Sequence, residues 1–189
     1  EKFMDYLKQH PLWRQFFEYC QSREFVESTF DLLKSVNINL GYKNHYDVNG
    51  QSGRLSQLLN RARCRANLRT RFEFSAMPAC GGHIPPHTDS PAKIITLVLS
   101  MVGSEGWDHS WGGGTAMQKP KDPSKTFNHL NDFLKFEEME NIHTFPFNPN
   151  QCVLFVKTFN SYHAVEPMTG PEDPALLRKT VIVNIEHVR

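Results

Sequence analysis

The sequence has no apolar run approaching the roughly 18–20 residues of a membrane span, and no secretory leader is visible. No membrane partner is therefore expected, and the cytoplasm is the expected location. Cysteine is sparse: Cys20, Cys64, Cys80 and Cys152 stand far apart with no Cys-x-x-Cys pair. That spacing excludes a dense disulfide framework and predicts free thiols in a reducing compartment. An excess of one charge is also missing, since 21 basic residues face 20 acidic ones, so nothing global points to a nucleic-acid partner. Repeats and low-complexity segments are absent. What remains is 189 residues, which fit a single domain able to bury its own core.

One absence is local. Residues 51–72 contain no Asp or Glu, while Arg54, Arg61, Arg63, Arg65, Arg69 and Arg71 fall within eighteen residues. Two readings stand side by side. A solvated helix around residues 54–64 would have some of its arginines paired to distant acids. Alternatively the guanidinium groups form a wall that recognises carboxylate or phosphate in bidentate fashion.

The chain opens with helical patterning over residues 1–36. Pro11 suits a first turn after His10, and Ser22 suits an N-cap before Phe25, Val26, Phe30, Leu33 and Val36. From residue 67 short strands take over. Arg69–Met77 alternates, with a polar face (Arg71, Glu73, Ser75) that either meets solvent or lines a cavity. Ile94–Leu99 reads as a buried strand, and further strands are predicted over Cys152–Val156, over Tyr162–Val165 and from Arg178 to Ile185. Between them, residues 118–150 look like an insertion carrying a short helix over Asn128–Glu140. Helices first and short strands after predict a mainly β protein with flanking helices. A helical support over residues 1–66 would brace a sandwich or jelly-roll core over 67–189.

Chemistry concentrates in Gly81–Ser90, where Pro85-Pro86 leads into His87-Thr88-Asp89. Residues i and i+2 of an extended strand share a face, so an imidazole and a carboxylate can converge on one cation. His163 opens a late strand, 76 residues after His87. A jelly roll brings such distant strands side by side. Two His and one carboxylate leave three metal positions open, the arrangement of non-haem Fe(II) oxygenases. Arg178 and Thr180 share a face of the last strand, where a guanidinium and a hydroxyl can grip a carboxylate together. His83 acquires no role and is expected to be a loop histidine.

His87-Thr88-Asp89, the segment Ser161–Pro167 and Arg178-Lys179-Thr180 resemble the 2-oxoglutarate/Fe(II)-dependent dioxygenases, and in particular their prolyl-hydroxylase-like branch. The three blocks occur in the family's order over roughly residues 70–186. The resemblance implies a double-stranded β-helix (jelly-roll, cupin-like) core with N-terminal buttressing helices. It further implies Fe(II) on His87, Asp89 and His163, with Arg178 and Thr180 on the C5 carboxylate of 2-oxoglutarate. Thr115, after Gly113-Gly114, is a further cosubstrate candidate. O2, 2-oxoglutarate and a C–H bond would then give succinate, CO2 and a hydroxylated product. Halogenating members lack the carboxylate, so Asp89 favours hydroxylation. Two departures stand out: Thr115 directly follows the glycines, and fifteen residues separate His163 from Arg178, longer than the family's usual gap.

Other classes remain open. A His–Asp–His set also suits a zinc hydrolase or lyase, although that leaves Arg178 and Thr180 without a purpose. A non-catalytic cupin-like binding module is a third reading. The expected substrate is a small molecule, anionic if Arg69 and Arg71 face the same mouth, with Trp107 and Trp111 in a covering loop. A peptidyl, prolyl-type substrate is the alternative. Oligomeric state is not readable from the sequence.

Overall fold

A computed structural model describes residues 2–42, 46–50, 66–103 and 106–188. Three α-helices come first: α1 (Lys2–Gln9), α2 (Pro11–Cys20) and α3 (Arg23–Ser35). Nine strands follow among the described residues: β1 (Tyr46–Val48), β2 (Ala66–Pro78), β3 (Ile84–His87), β4 (Lys93–Ser100), β5 (Thr115–Pro120), β6 (Met139–Phe145), β7 (Cys152–Val156), β8 (Tyr162–Val165) and β9 (Leu177–His187). The chain forms two compact units, Glu1–Phe72 with Ile185–Arg189, and Glu73–Asn184.

In the first unit the helix ends follow capping chemistry. Pro11 occupies the first turn of α2, where its missing N–H costs nothing. The Ser22 hydroxyl accepts from the Phe25 N–H at 3.1 Å and caps α3, worth about 1 kcal/mol. Glu24 in the first turn of α3 and Lys34 in its last complement the helix dipole. The buried stripe Phe25, Val26, Phe30 and Leu33 repeats at helical spacing. Phe30 packs edge-on to Tyr46 of β1, and Phe3, Phe16 and Phe17 surround Phe72 of β2. β1 pairs in parallel with the first residues of β2. No helix among the described residues is long and apolar enough to cross a membrane.

The second unit is a β-sandwich of jelly-roll type. From β2 onward the chain passes back and forth between two sheets, except that β5 and β6 are neighbours in one; the larger is ordered β1-β2-β9-β4-β7 and the smaller β3-β8-β5-β6. The Ile94–Leu99 run of β4, apolar apart from Thr96, is buried from Ile94 to Leu97 and pairs antiparallel with β7. In the smaller sheet His87 of β3 lies directly opposite His163 of β8, and Met117 of β5 faces His163 from the other side. Directly opposed residues point to one face of a sheet. Strand register, and not sequence proximity, therefore brings the two histidines together.

Two sequence expectations are corrected here. Residues 128–140 form no α-helix. Asn128 hydrogen-bonds the backbone of Asp132 in both directions, and Asn131 takes a left-handed backbone at φ 64°, which breaks helical continuation. Only a single 3-10 turn, Phe136–Glu138, forms before β6. The stretch 118–150 is also more than an insertion, because its first residues complete β5 and Met139–Phe145 pairs with β5 as the edge strand β6. The helix expected around residues 54–64, with Arg54, Arg61, Arg63 and Arg65, lies outside the described residues.

Candidate metal centre and anion pocket

The backbone before His87 sets its tautomer. His87 Nδ1 lies 2.9 Å from the Pro85 carbonyl, and His163 Nδ1 lies 3.1 Å from the Ser161 carbonyl. A carbonyl only accepts, so each Nδ1 donates and each Nε2 carries a lone pair. Both Nε2 atoms face Asp89: His87 Nε2 is 3.6 Å from Oδ1, and His163 Nε2 is 3.7 Å from Oδ2. One donor atom from each of the three residues lies within 4.8 Å of the others. A metal bound at ~2.1 Å to donors at right angles separates them by about 3 Å. The observed spacing is thus slightly open, and small side-chain rotations close it.

Asp89 sits in the left-handed region at φ 71°, a conformation that aspartate tolerates better than most residues. The segment Asn128–Leu134 holds it there. Asn131 Oδ1 accepts from the Thr88 N–H, the buried Thr88 hydroxyl donates to the Asn128 carbonyl, and the Leu134 N–H donates to the Pro86 carbonyl. Phe133 lies against the His87 ring at 5.4 Å. This clamp was missed from sequence; the two asparagines flanking His129-Leu130 were its only signal.

The carboxylate itself is gripped at both oxygens. Lys93 Nζ donates to Oδ1 at 2.7 Å, and the Thr96 hydroxyl lies 3.0 Å from Oδ2. Burial alone would raise the Asp89 pKa, but the adjacent His87 imidazole and the charges of His163 and Lys93 outweigh it and hold the group well below the usual carboxylate range. His163 is pushed down to about 4, chiefly by burial and then by repulsion from His87. Both shifts leave the deprotonated, metal-ready forms in place at neutral pH.

A cavity of about 120 Å³ opens on these side chains; Thr115, Arg178, Lys93, Thr96 and Ser75 also line it. Ser75 thus resolves the alternating face of β2 in favour of a cavity wall. Arg178 is buried, and burial lowers its pKa to about 10. Its Nε donates to the Gly113 carbonyl at 2.6 Å, and its guanidinium lies over the Phe147 ring at 4.8 Å. Among the described residues no acid pairs with it. Two residues along β9, the Thr180 hydroxyl is buried without a hydrogen-bond partner. Thr180 is not among the cavity's lining residues, but a buried cation with no acid among the described residues is by itself an incomplete site that a carboxylate would complete.

Trp107 and Trp111 are not among the cavity's lining residues. Trp107 is buried with Phe147, Met168 and Ala79, and Trp111 packs against that cluster. At Gly113, whose φ is 84°, a Cβ would lie 3.1 Å from Trp107 and 3.3 Å from the Arg178 side chain. The tryptophan therefore shapes the loop that carries the Arg178 partner. Arg69 and Arg71, in the first unit, both bind the buried carboxylate of Glu186 at 2.9 and 3.0 Å. His83 is exposed and contacts the Gly81 carbonyl, as a loop histidine would.

No family model and no curated protein matches the sequence. Among solved structures, the chain is similar to a Pseudomonas putida prolyl-4-hydroxylase at 19% identity and a TM-score of 0.35, covering 64% of this chain and 51% of that one. It is also similar to a thiamin pyrophosphokinase family protein from Enterococcus faecalis at 8% identity and a TM-score of 0.27, covering 87% and 63%. The chain thus spans about half the length of the hydroxylase. At these TM-scores neither likeness carries weight, and the functional reading rests on the site's own geometry.

Proposed function

We propose that this chain is an Fe(II)- and 2-oxoglutarate-dependent oxygenase that hydroxylates a C–H bond. One observation carries the reading: the donor atoms of His87, Asp89 and His163 converge within 4.8 Å on a cavity that also holds Arg178, with which no acid among the described residues pairs. Two neutral imidazoles and one carboxylate suit a divalent metal with three positions left open. Zinc would accept the same donors, but a zinc hydrolase has no use for a buried guanidinium and an orphaned hydroxyl on one face of β9. A dicarboxylic 2-oxo acid has a use for both.

With Fe(II) and 2-oxoglutarate bound, the site would activate O2 as the oxidant, one oxygen atom going to the hydroxylated product and the other to succinate as CO2 leaves. The chain's own groups bind and orient. Arg178 would bind the distal carboxylate through the guanidinium edge that Gly113 leaves free, with Thr180 as a second donor. Thr115, buried in the cavity wall, adds a third donor. The apolar walls Val98, Phe155, Val165 and Ile182 keep water from the reacting groups.

With Arg69 and Arg71 engaged by Glu186, the reaction class is what the geometry supports best. The substrate is to be selected by stimulated succinate release across small acids and peptides. Anaerobic Fe(II) with 2-oxoglutarate should develop a weak visible charge-transfer band, and succinate should form in air. His87→Ala and Asp89→Ala should each abolish both. Normal turnover by either variant overturns the assignment, and zinc co-purification without the band favours the hydrolase.

A further inference from the structure

Lys93 has no part in the reaction as read above, yet its ammonium touches one of the three convergent ligands. Its side chain is 12% exposed, it lines the cavity, and its Nζ lies 2.7 Å from Asp89 Oδ1. That oxygen is the one turned toward His87 Nε2. Thr96 approaches the other oxygen of the same carboxylate, buried and uncharged. One carboxylate thus has a cationic neighbour on one side and a neutral one on the other. Either could orient Asp89, but only Lys93 adds charge.

We propose that Lys93 tunes the metal held by His87, Asp89 and His163, weakening the site's grip on a cation and favouring the divalent over the trivalent state. The inference rests on the metal reading of that site. Three physical points support it. In the metal-free protein Lys93 already neutralises Asp89, so an incoming cation competes with an existing ion pair. Once the metal is bound, the ammonium remains one carboxylate away from it, in a cavity where charges are weakly screened. Finally, the repulsion scales with the charge of the ion, so it acts half again as strongly on Fe(III) as on Fe(II). A lysine present only to fold the Ser90–Lys93 turn, which the Lys93 N–H closes onto the Ser90 carbonyl, would not need to reach into the cavity.

The test compares Lys93→Gln, Lys93→Arg and Thr96→Val with the parent chain. Mn(II) and anaerobic Fe(II) affinities are measured by chelator competition, and the Fe(III)/Fe(II) midpoint by mediated titration. Lys93→Gln keeps a donor to Asp89 but removes the charge. It should bind divalent metal about tenfold more tightly, with a lower midpoint. Each tenfold gain of ferric over ferrous affinity corresponds to about 59 mV. Lys93→Arg should stay near the parent in both readouts. Thr96→Val should lose about tenfold in affinity with no fall in the midpoint. Lys93→Met, which keeps the stem, replaces the Gln variant if that one does not fold. Unchanged or weaker binding by the neutral variant, or an unmoved midpoint, overturns the inference while leaving the metal site standing. A parent chain that binds no divalent cation overturns the metal reading itself.

Discussion

Replacing Arg178 with glutamine separates a ligand-binding arginine from a structural one, because the two roles predict opposite patterns. Burial pulls the Arg178 pKa from 12.5 to about 10, equivalent to about 3 kcal/mol of lost solvation for the charged form. Glutamine relieves that cost. It forfeits the stacking on Phe147, worth about 1–2 kcal/mol, and it can still donate to the Gly113 carbonyl that Arg178 Nε reaches. The opposing contributions leave a net gain of about 1–2 kcal/mol, so the denaturation midpoint of the metal-free protein should hold or rise. Binding of 2-oxoglutarate should respond very differently. A bidentate guanidinium–carboxylate contact comprises two charge-assisted hydrogen bonds at about 1.5 kcal/mol each. Losing them costs about 3 kcal/mol, or roughly a hundredfold in Kd. Titrating 2-oxoglutarate into the anaerobic iron-loaded variant, alongside a urea melt of the metal-free form, reads both numbers. A Kd within threefold of the parent, or a melt that collapses in step with the Kd, would refute the anchoring role.

Other expected outcomes follow from the same geometry. Thr180→Val removes a buried hydroxyl that has no partner; the metal-free protein should gain up to about 1 kcal/mol in a thermal melt while 2-oxoglutarate affinity falls several-fold. Stability of the metal-free protein should fall as pH drops from 6.5 toward 4. His163 titrates at about 4 when folded against 6.5 unfolded, so the unfolded chain takes up the proton first, costing about 3 kcal/mol by pH 4. Urea melts of a His163→Asn variant across that window should lose most of this slope. Neutralising Arg69 and Arg71 together to Met strands the buried Glu186 carboxylate and should cost about 3–5 kcal/mol in urea unfolding. A raised substrate KM with unchanged stability would restore their role in substrate recognition.

Features that depend on neighbours in the chain were legible in the sequence. Ser22 and Pro11 marked helix starts because caps and first turns are local hydrogen-bonding problems. The strand over Cys152–Val156 announced itself by unbroken apolar character, and the Arg178/Thr180 pair by a period of two. His87 and Asp89 were visible as a pair, and His163 as a partner once a jelly roll was assumed. Features that depend on partners far along the chain were not. β6 is exposed over nearly its whole length, so its pattern carries no buried face, and only pairing with β5 makes it a strand. For Arg69 and Arg71 the choice between pairing to a distant acid and an anion-binding wall stayed open, because the acid that takes them, Glu186, lies more than a hundred residues later. The role of Lys93 was hidden for another reason. Its spacing from Asp89 is that of any helical ion pair, and only the left-handed turn at Asp89 and the closure of the barrel aim it at a ligand. The sequence by itself determined which donors exist and which strands carry them. The register of β3 on β8, the Asn128–Leu134 clamp and the burial of Arg178 were decided by the tertiary structure, since each depends on contacts between distant segments that no local pattern encodes.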